Sequence, residues 1–326
     1  MLTLLNNSNS FSMILACGGA FFALILTFVI LKRLAFLLPV DHGRAYAVEG
    51  GHSKGKPTGA GFLFITVFAV TSILFIPIRW DNIFYYILIE AAMIAGYLDD
   101  GSKSPWSEYR KGLVDLLISF LTALTYTVFS SREIIIPFLG QLITLPFFVY
   151  LFLGTILVWV AINVTNCTDG VDGLSSSLTI ISLLSMLVLS QMLGTTDMWS
   201  GPVLIMLAVL LAYLWYNTNP SQLLMGDAGS RALGVFLAIS IMHTRQPLAY
   251  IMLCLVFILD GGAGIVKISL KRFLRISILK KTTTPFHDHL RKKIGWSNPQ
   301  VTIRISLIPI VSCALYLFLV VCFLNR

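Results

Sequence analysis

Apolar runs of about 20 residues, long enough to cross a bilayer as helices, follow one another along the whole chain and are joined by short polar connectors. They predict ten helices, at 12–36, 59–78, 83–98, 112–130, 147–165, 173–193, 202–216, 231–243, 248–270 and 301–323. The eighth is short, which suits a tilted or kinked span or one joined to what precedes it. The first apolar stretch, Phe11 to Leu38, is too long for a signal-peptide core, has no basic region ahead of it, and reads as a retained span. Between the fourth and fifth runs, the segment from Glu133 to Pro146 carries β-branched residues around Gly140, the pattern of a small external β-hairpin. The fold class is therefore an all-α polytopic membrane protein with a small hairpin. It forms one integral membrane domain over 1–326, with no internal repeat.

Composition agrees with the pattern, since 57% of the residues are hydrophobic and only 12% charged, which excludes a soluble globular domain. Charge sets the orientation. With the N-terminus outside, Arg79, Arg132, Arg245 and Arg326 fall on the outer side and the other 19 of the 23 Lys and Arg residues on the inner side. Inner loops carry such an excess, so both termini are expected outside. Orientation accounts for most of the net charge of +8 and calls for no nucleic-acid partner. The basic run 267–293 reads first as an inner anchor, and second as a holder of anionic phosphates at the interface. Five cysteines show no CxxC pair and no metal spacing.

Four acid-bearing segments interrupt this apolar chain, and the topology puts all four on the inner face. Asp99-Asp100 closes the third span, where neighbouring side chains point about 100° apart and can do different work. The C-terminal end of a helix disfavours negative charge, so a cation is expected nearby, from Lys103, Arg110, Lys111 or a metal ion. Asn163, Asn166, Asp169 and Asp172 recur every third residue and would form one polar ridge on a helix, suited to hydrogen bonding a nucleobase, a ribose or a sugar. Asn217 and Asp227 lie between the seventh and eighth spans. Asp227 stands between Gly226 and Gly229, where the backbone can approach a phosphate and one carboxylate can ligate Mg²⁺. His287 and His289 flank Asp288 in a loop that, if extended, turns both imidazoles the same way. Glu90 lies about 13 Å along its helix from Asp99, and Asp260 is also mid-span. Neither can face lipid, so each is read as a structural hydrogen-bond partner or as lining a groove that leads to the site.

Taken in order, these segments resemble the polyprenyl-phosphate N-acetylhexosamine-1-phosphate transferase superfamily, and within it the muramoyl-pentapeptide branch. The resemblance runs from about Gly43 to Arg304. It rests on the loop from His52 to Gly61, the Asp-Asp pair, Lys111, the Asn-x-x-Asn-x-x-Asp-Gly-x-Asp-Gly segment, Met-Gly-Asp-x-Gly-Ser, and a Pro-x-His-x-His loop followed by Gly295-Trp296. It implies a Mg²⁺-dependent enzyme of the bacterial plasma membrane, with its site on the cytoplasmic face. Such an enzyme moves a phospho-N-acetylmuramoyl-pentapeptide from its UDP carrier to undecaprenyl phosphate, giving lipid I and UMP. The resemblance assigns Asp227 as the Mg²⁺ ligand and Asp99 and Asp100 as the acids on the lipid-phosphate side. It sets Lys111 near those acids and His287 and His289 in the histidine loop. Asn163, Asn166, Asp169, Asp172 and Asn217 fall on the nucleotide side with Thr58. Lys54 and Lys56 compete for a nucleotide-contacting lysine, and Leu224 stands where an aromatic residue often stacks on uracil. Partners beyond the two substrates are membrane lipids, and a homodimer is left open.

Three other readings compete. A sister branch transfers N-acetylglucosamine-1-phosphate, but Pro-Thr-Gly-Ala-Gly and Gly295-Trp296 look muramoyl-like. An intramembrane aspartyl protease would bury its two acids within the membrane rather than at one surface. A transporter would show two related halves and a polar path through the midplane.

Overall fold

The computed structural model describes residues 9–41, 54–102, 106–195 and 199–324. Helices occupy every predicted apolar run: α1 (Asn9–Leu34), α2 (Gly61–Phe75), α3 (Trp80–Asp100), α4 (Glu108–Phe129), α5 (Phe147–Thr168), α6 (Leu174–Met192), α7 (Ser200–Asn217), α8 (Gly226–His243), a bent pair α9 (Pro247–Leu253) and α10 (Leu255–Leu274), a short α11 (Phe286–His289) and α12 (Asn298–Leu324). Among the described residues, six are long and apolar enough to cross a membrane, or seven if the bent pair counts as one span. Among the others, α2 is apolar but only 15 residues long, and α3 and α8 carry acids.

α8 is the axis of the molecule. Every residue from Asp227 to Met242 is buried, and the helix is surrounded by α2, α3, α4, α5 and α6. A helix enclosed by protein need not be apolar enough for lipid, which is why its sequence is rich in Gly, Ala and Ser. Small residues let the neighbours in. A methyl group at Gly61 of α2 would collide with the backbone of Gly229, and one at Gly96 of α3 with the backbone of Asp227.

The ninth run is not one straight span. The helix bends by 74° between α9 and α10, and Ile258–Gly262 forms a π-helical turn that carries Asp260. Gly261 in that turn lies against the Val164 carbonyl of α5, closer than any side chain would allow. π-turns of this kind accompany functional side chains, and here the turn serves the histidine segment. The expected hairpin is present, with β1 (Glu133–Ile135) antiparallel to β2 (Leu142–Thr144) and Ile134 opposite Ile143. It is pinned to the C-terminal end of α8, because Ile135 N donates to Arg245 O at 2.7 Å and Arg245 pairs with Glu133 at 3.0 Å. The hairpin and Asp227 thus sit at opposite ends of an 18-residue helix, which is about 27 Å long.

Arg44, Lys103 and Arg326, three of the charges used to orient the chain, and His52 lie outside the described residues. Orientation is testable directly. In a background lacking the five native cysteines, Cys at the exposed positions Thr218 and Lys281 should be labelled from one side of sealed vesicles, and Cys at the exposed Gln141 of the hairpin from the other. Labelling of all three from the same side would refute a bundle with its acids at one surface.

Candidate active site

Three of the four predicted polar segments meet around the first turn of α8, joined there by Lys111 of α4. Gly226 has φ +68°, and a side chain there would also run into the Asp100 carboxylate. No side chain of its own caps this helix. Asp100, from the end of α3, takes that place: its Oδ2 accepts from Ala228 N at 3.3 Å. A carboxylate is stabilised there by the free N–H groups and the helix dipole. Asp99, one residue earlier, points into the cluster. Its Oδ1 accepts from Trp106 N at 2.8 Å, and its Oδ2 contacts Lys111 Nζ. Of the foreseen cations among the described residues, Lys111 is the one in contact; Arg110 stacks on Trp106 instead, 3.7 Å from the ring centroid.

Asp227 is held on both oxygens. Asn166 Nδ2 donates to Oδ1 at 3.0 Å and reaches Ser230 Oγ at 3.0 Å. Oδ2 lies 3.4 Å from Lys111 Nζ and 3.4 Å from Arg231 Nη2. Arg231 Nη2 is also 3.9 Å from Asp99 Oδ2, while its Nη1 lies 2.9 Å from Asp115 Oδ1. Arg231 and Asp115 were missed as site residues in the sequence. A signal was present: Asp227 and Arg231 are four apart on α8, Lys111 and Asp115 four apart on α4, so each pair shares a helix face. Ionised, Asp99, Asp100, Asp115 and Asp227 gather at this end of α8 with Lys111 and Arg231, four negative charges against two positive. The deficit equals one divalent cation, and its donors are hard carboxylate oxygens, as Mg²⁺ prefers. Among the described residues no three His, Cys, Asp or Glu side chains form a ready cage. The residues present therefore fit a metal held by Asp227 and completed by water and substrate oxygens.

The predicted Asn/Asp ridge divides. α5 ends at Thr168, so only Asn163 and Asn166 are helical; Asp169 is the C-cap and Asp172 lies in the turn beyond. Asn163 donates back to Trp159 O at 2.8 Å. Asp172 Oδ2 instead accepts from Ser221 N and Asn219 Nδ2, both at 3.1 Å. Lys56 Nζ joins this second cluster, 3.0 Å from Ser221 Oγ and 3.9 Å from Asp172 Oδ2, whereas Lys54 is exposed. Asn217 bridges two loops, accepting from Gly173 N and donating to Leu223 O, each at 2.9 Å. Leu224, half-buried, pairs its backbone with Pro57 and Ala60, the residues either side of Thr58 and Gly59.

The histidine segment is not extended. Phe286–His289 is a helical turn, so the two imidazoles diverge, because a helix turns successive residues by about 100°. His287 is buried and gripped by Asp260: its N–H donates to Oδ1 at 2.6 Å and its Nδ1 lies 2.8 Å from Oδ2. The ring abuts Gly170, where a methyl group would not fit, so His287 reaches the Asp169–Asp172 turn. His289 Nδ1 accepts from Thr283 N at 3.2 Å. Asp288 lies 3.7 Å from both Arg291 and Lys292, which anchors the turn. Asp260 is thus the structural partner its position implied. Glu90 is not: it is half-buried, and its Oε1 has no hydrogen-bond partner.

An apolar helical bundle with a charged, amide-flanked cluster at one end defines an integral membrane enzyme. Residues 82–245 match the model of glycosyl transferase family 4. A phospho-N-acetylmuramoyl-pentapeptide-transferase of Treponema pallidum (strain Nichols) is 35% identical over 309 residues, covering 89% of this chain and 84% of the relative. Proteins of that name from Staphylococcus aureus (strain bovine RF122 / ET3-1) and Ruegeria sp. (strain TM1040) are 32% and 28% identical, covering 92% and 90% of their own lengths. The chain belongs to glycosyl transferase family 4 and is a bacterial integral membrane transferase. The family match includes Asp99, Asp100, Lys111, Asp115, Asn166, Asp227 and Arg231, and it ends before the histidine segment.

The grip of Asp260 on His287 yields a prediction. An amide at position 260 turns a donor toward donors, and losing a hydrogen bond to a buried carboxylate costs about 2 kcal/mol. Asp260→Asn should therefore lower both the melting temperature in detergent and the turnover. Unchanged values for both would mean that His287 is held by other contacts.

Proposed function

We propose that the enzyme transfers phospho-N-acetylmuramoyl-pentapeptide from its UDP carrier to undecaprenyl phosphate, releasing UMP and leaving lipid I, at the cytoplasmic face of the plasma membrane. The observation that carries this reading is the convergence of Asp99, Asp100 and Asp227 with Lys111 and Arg231 at one end of an apolar bundle. Two anionic phosphates must approach each other there. In the reaction an oxygen of the lipid phosphate bonds to the sugar-bearing phosphorus, and the anhydride bond to UMP breaks. One phosphoanhydride replaces another, so catalysis is chiefly positioning and charge stabilisation.

The residues divide that work. Lys111, part-exposed between Asp99 and Asp227, can shift its ammonium onto a phosphate as one arrives. Asp99 and Asp100 serve the lipid-phosphate side. Asn166 keeps Asp227 oriented, and the cluster of Asp172, Lys56, Asn219 and Ser221 forms the nucleotide side, with Asn217 fixing its loops. Asp227 would hold Mg²⁺, which when bound offsets the charge of the reacting phosphates. The names of the relatives from Treponema, Staphylococcus and Ruegeria support the muramoyl substrate.

Two experiments test this. Asp227→Asn should abolish Mg²⁺-dependent turnover in folded protein, and Asp99→Asn and Asp100→Asn should each lower kcat by at least about 10², the scale for losing a positioned acid–base group. Near wild-type rates for all three at saturating Mg²⁺ would move the site elsewhere. Purified enzyme with undecaprenyl phosphate should also release UMP from the muramoyl-pentapeptide nucleotide in preference to equimolar UDP-N-acetylglucosamine. Release driven only by the second would assign the N-acetylglucosamine branch.

A further inference from the structure

Two cations share Oδ2 of Asp227, and they are held in different ways. Lys111 comes from α4, and its side chain is 29% exposed. Its flexible stem lets the ammonium swing toward solvent or a phosphate. Arg231 comes from α8 itself, one turn below Asp227, and its side chain is 3% exposed. Its Nη1 lies 2.9 Å from Asp115 Oδ1, and the Asp115 side chain is 5% exposed. Arg231 has nowhere to go. Moving it would strand a buried guanidinium and a buried carboxylate, each of which needs the other. A ligand arriving at Asp227 can displace Lys111 but not Arg231.

We propose that Arg231, positioned by Asp115, is a resident counter-charge that prevents Asp227 and Asp99 from binding a divalent cation tightly on their own. The metal is then held firmly only together with the diphosphate of the nucleotide substrate. This rests on the reading of Asp227 as the Mg²⁺ ligand. The guanidinium stands 3.4 Å from Asp227 Oδ2 and 3.9 Å from Asp99 Oδ2, so it acts on both carboxylates. At such range, repulsion between a divalent ion and a fixed positive charge changes affinity by at least about tenfold, even at a surface-like dielectric. A diphosphate brings further negative charge and oxygen ligands, which outweigh that repulsion. Arg231 and Asp115 are positioning residues here, since neither reaches the reacting atoms.

A purely structural ion pair makes a different prediction, because removing either partner would then loosen the site and weaken binding alike. As a resident charge, the two partners act with opposite sign. The test uses full-length protein in detergent and Mn²⁺ alone as the probe, followed by the electron paramagnetic resonance signal of the free ion. Arg231→Met should bind Mn²⁺ about tenfold more tightly than wild type. Asp115→Asn should bind it more weakly, because the guanidinium loses its own partial neutraliser. Arg231→Lys, which keeps the charge, should stay within about threefold of wild type. If Arg231→Met does not fold, Arg231→Met/Asp115→Asn leaves no lone buried charge and should still bind Mn²⁺ more tightly. Added UDP should strengthen Mn²⁺ binding to wild type more than to either Arg231→Met variant. Equal or weaker Mn²⁺ binding by the Arg231→Met variants would overturn the inference while leaving Asp227 as the ligand. Equal Mn²⁺ binding by wild type and Asp227→Asn in the presence of UDP would instead overturn the metal reading, and the inference with it.

Discussion

The close approach of α2 and α3 to the first turn of α8 is the constraint on which the polar half of this molecule depends. Both contacts are glycine against backbone, Gly61 on Gly229 and Gly96 on Asp227. A single added carbon at either position would push the helices apart by more than the length of a hydrogen bond allows. At contact, two unfavourable helix ends cancel. The C-terminal end of α3, which repels its own acids, meets the N-terminal end of α8, which lacks acceptors. The Asp100 carboxylate at Ala228 N satisfies both, and Gly226, with its positive φ, leaves room for it. Water is scarce between packed membrane helices, so this pairing is what permits a polar helix start to be buried.

The bent ninth run shows the same economy at a distance. A straight helix would have kept Asp260 in the bundle with no ligand. The π turn at Ile258–Gly262 rotates the carboxylate toward residue 287, where both its oxygens are used. Gly261 against α5 and Gly170 against the His287 ring bring three segments, distant in sequence, onto the C-terminal end of α5. His287 is therefore coupled to the Asp169–Asp172 turn through packing, whereas His289 is set by Thr283 and faces elsewhere.

Much of this was legible in the sequence, because membrane helices announce themselves by hydropathy and buried acids by their rarity. The helices and the hairpin follow from where polar residues interrupt apolar runs, and Lys111 was one of the cations expected beside Asp99-Asp100. What was not legible depends on backbone geometry that periodicity cannot report. The every-third spacing from Asn163 to Asp172 reads as a ridge, but the glycines at 170 and 173 end the helix and send Asp172 to the loop after α7. The His-Asp-His segment reads equally well as extended or helical over so few residues. Arg231 was counted as an inner-face anchor because a positive charge beside an apolar run usually is one. In the structure it is buried, paired with Asp115 of another helix.

That pair also fixes how deep the polar layer goes. Asp227 and Lys111 lie at the mouth, and Arg231 and Asp115 one turn further in on the same two helices. Below Arg231, α8 continues as Ala-Leu-Gly-Val-Phe-Leu-Ala-Ile, all buried and all apolar or small. A charge placed deeper would find no partner and would cost on the order of 3 kcal/mol or more. The ion pair is therefore the floor of the site. It closes the charged layer above from the apolar course of α8 below. On the function proposed above, the phosphates would meet above this floor, where a lipid head and a water-soluble nucleotide can both reach.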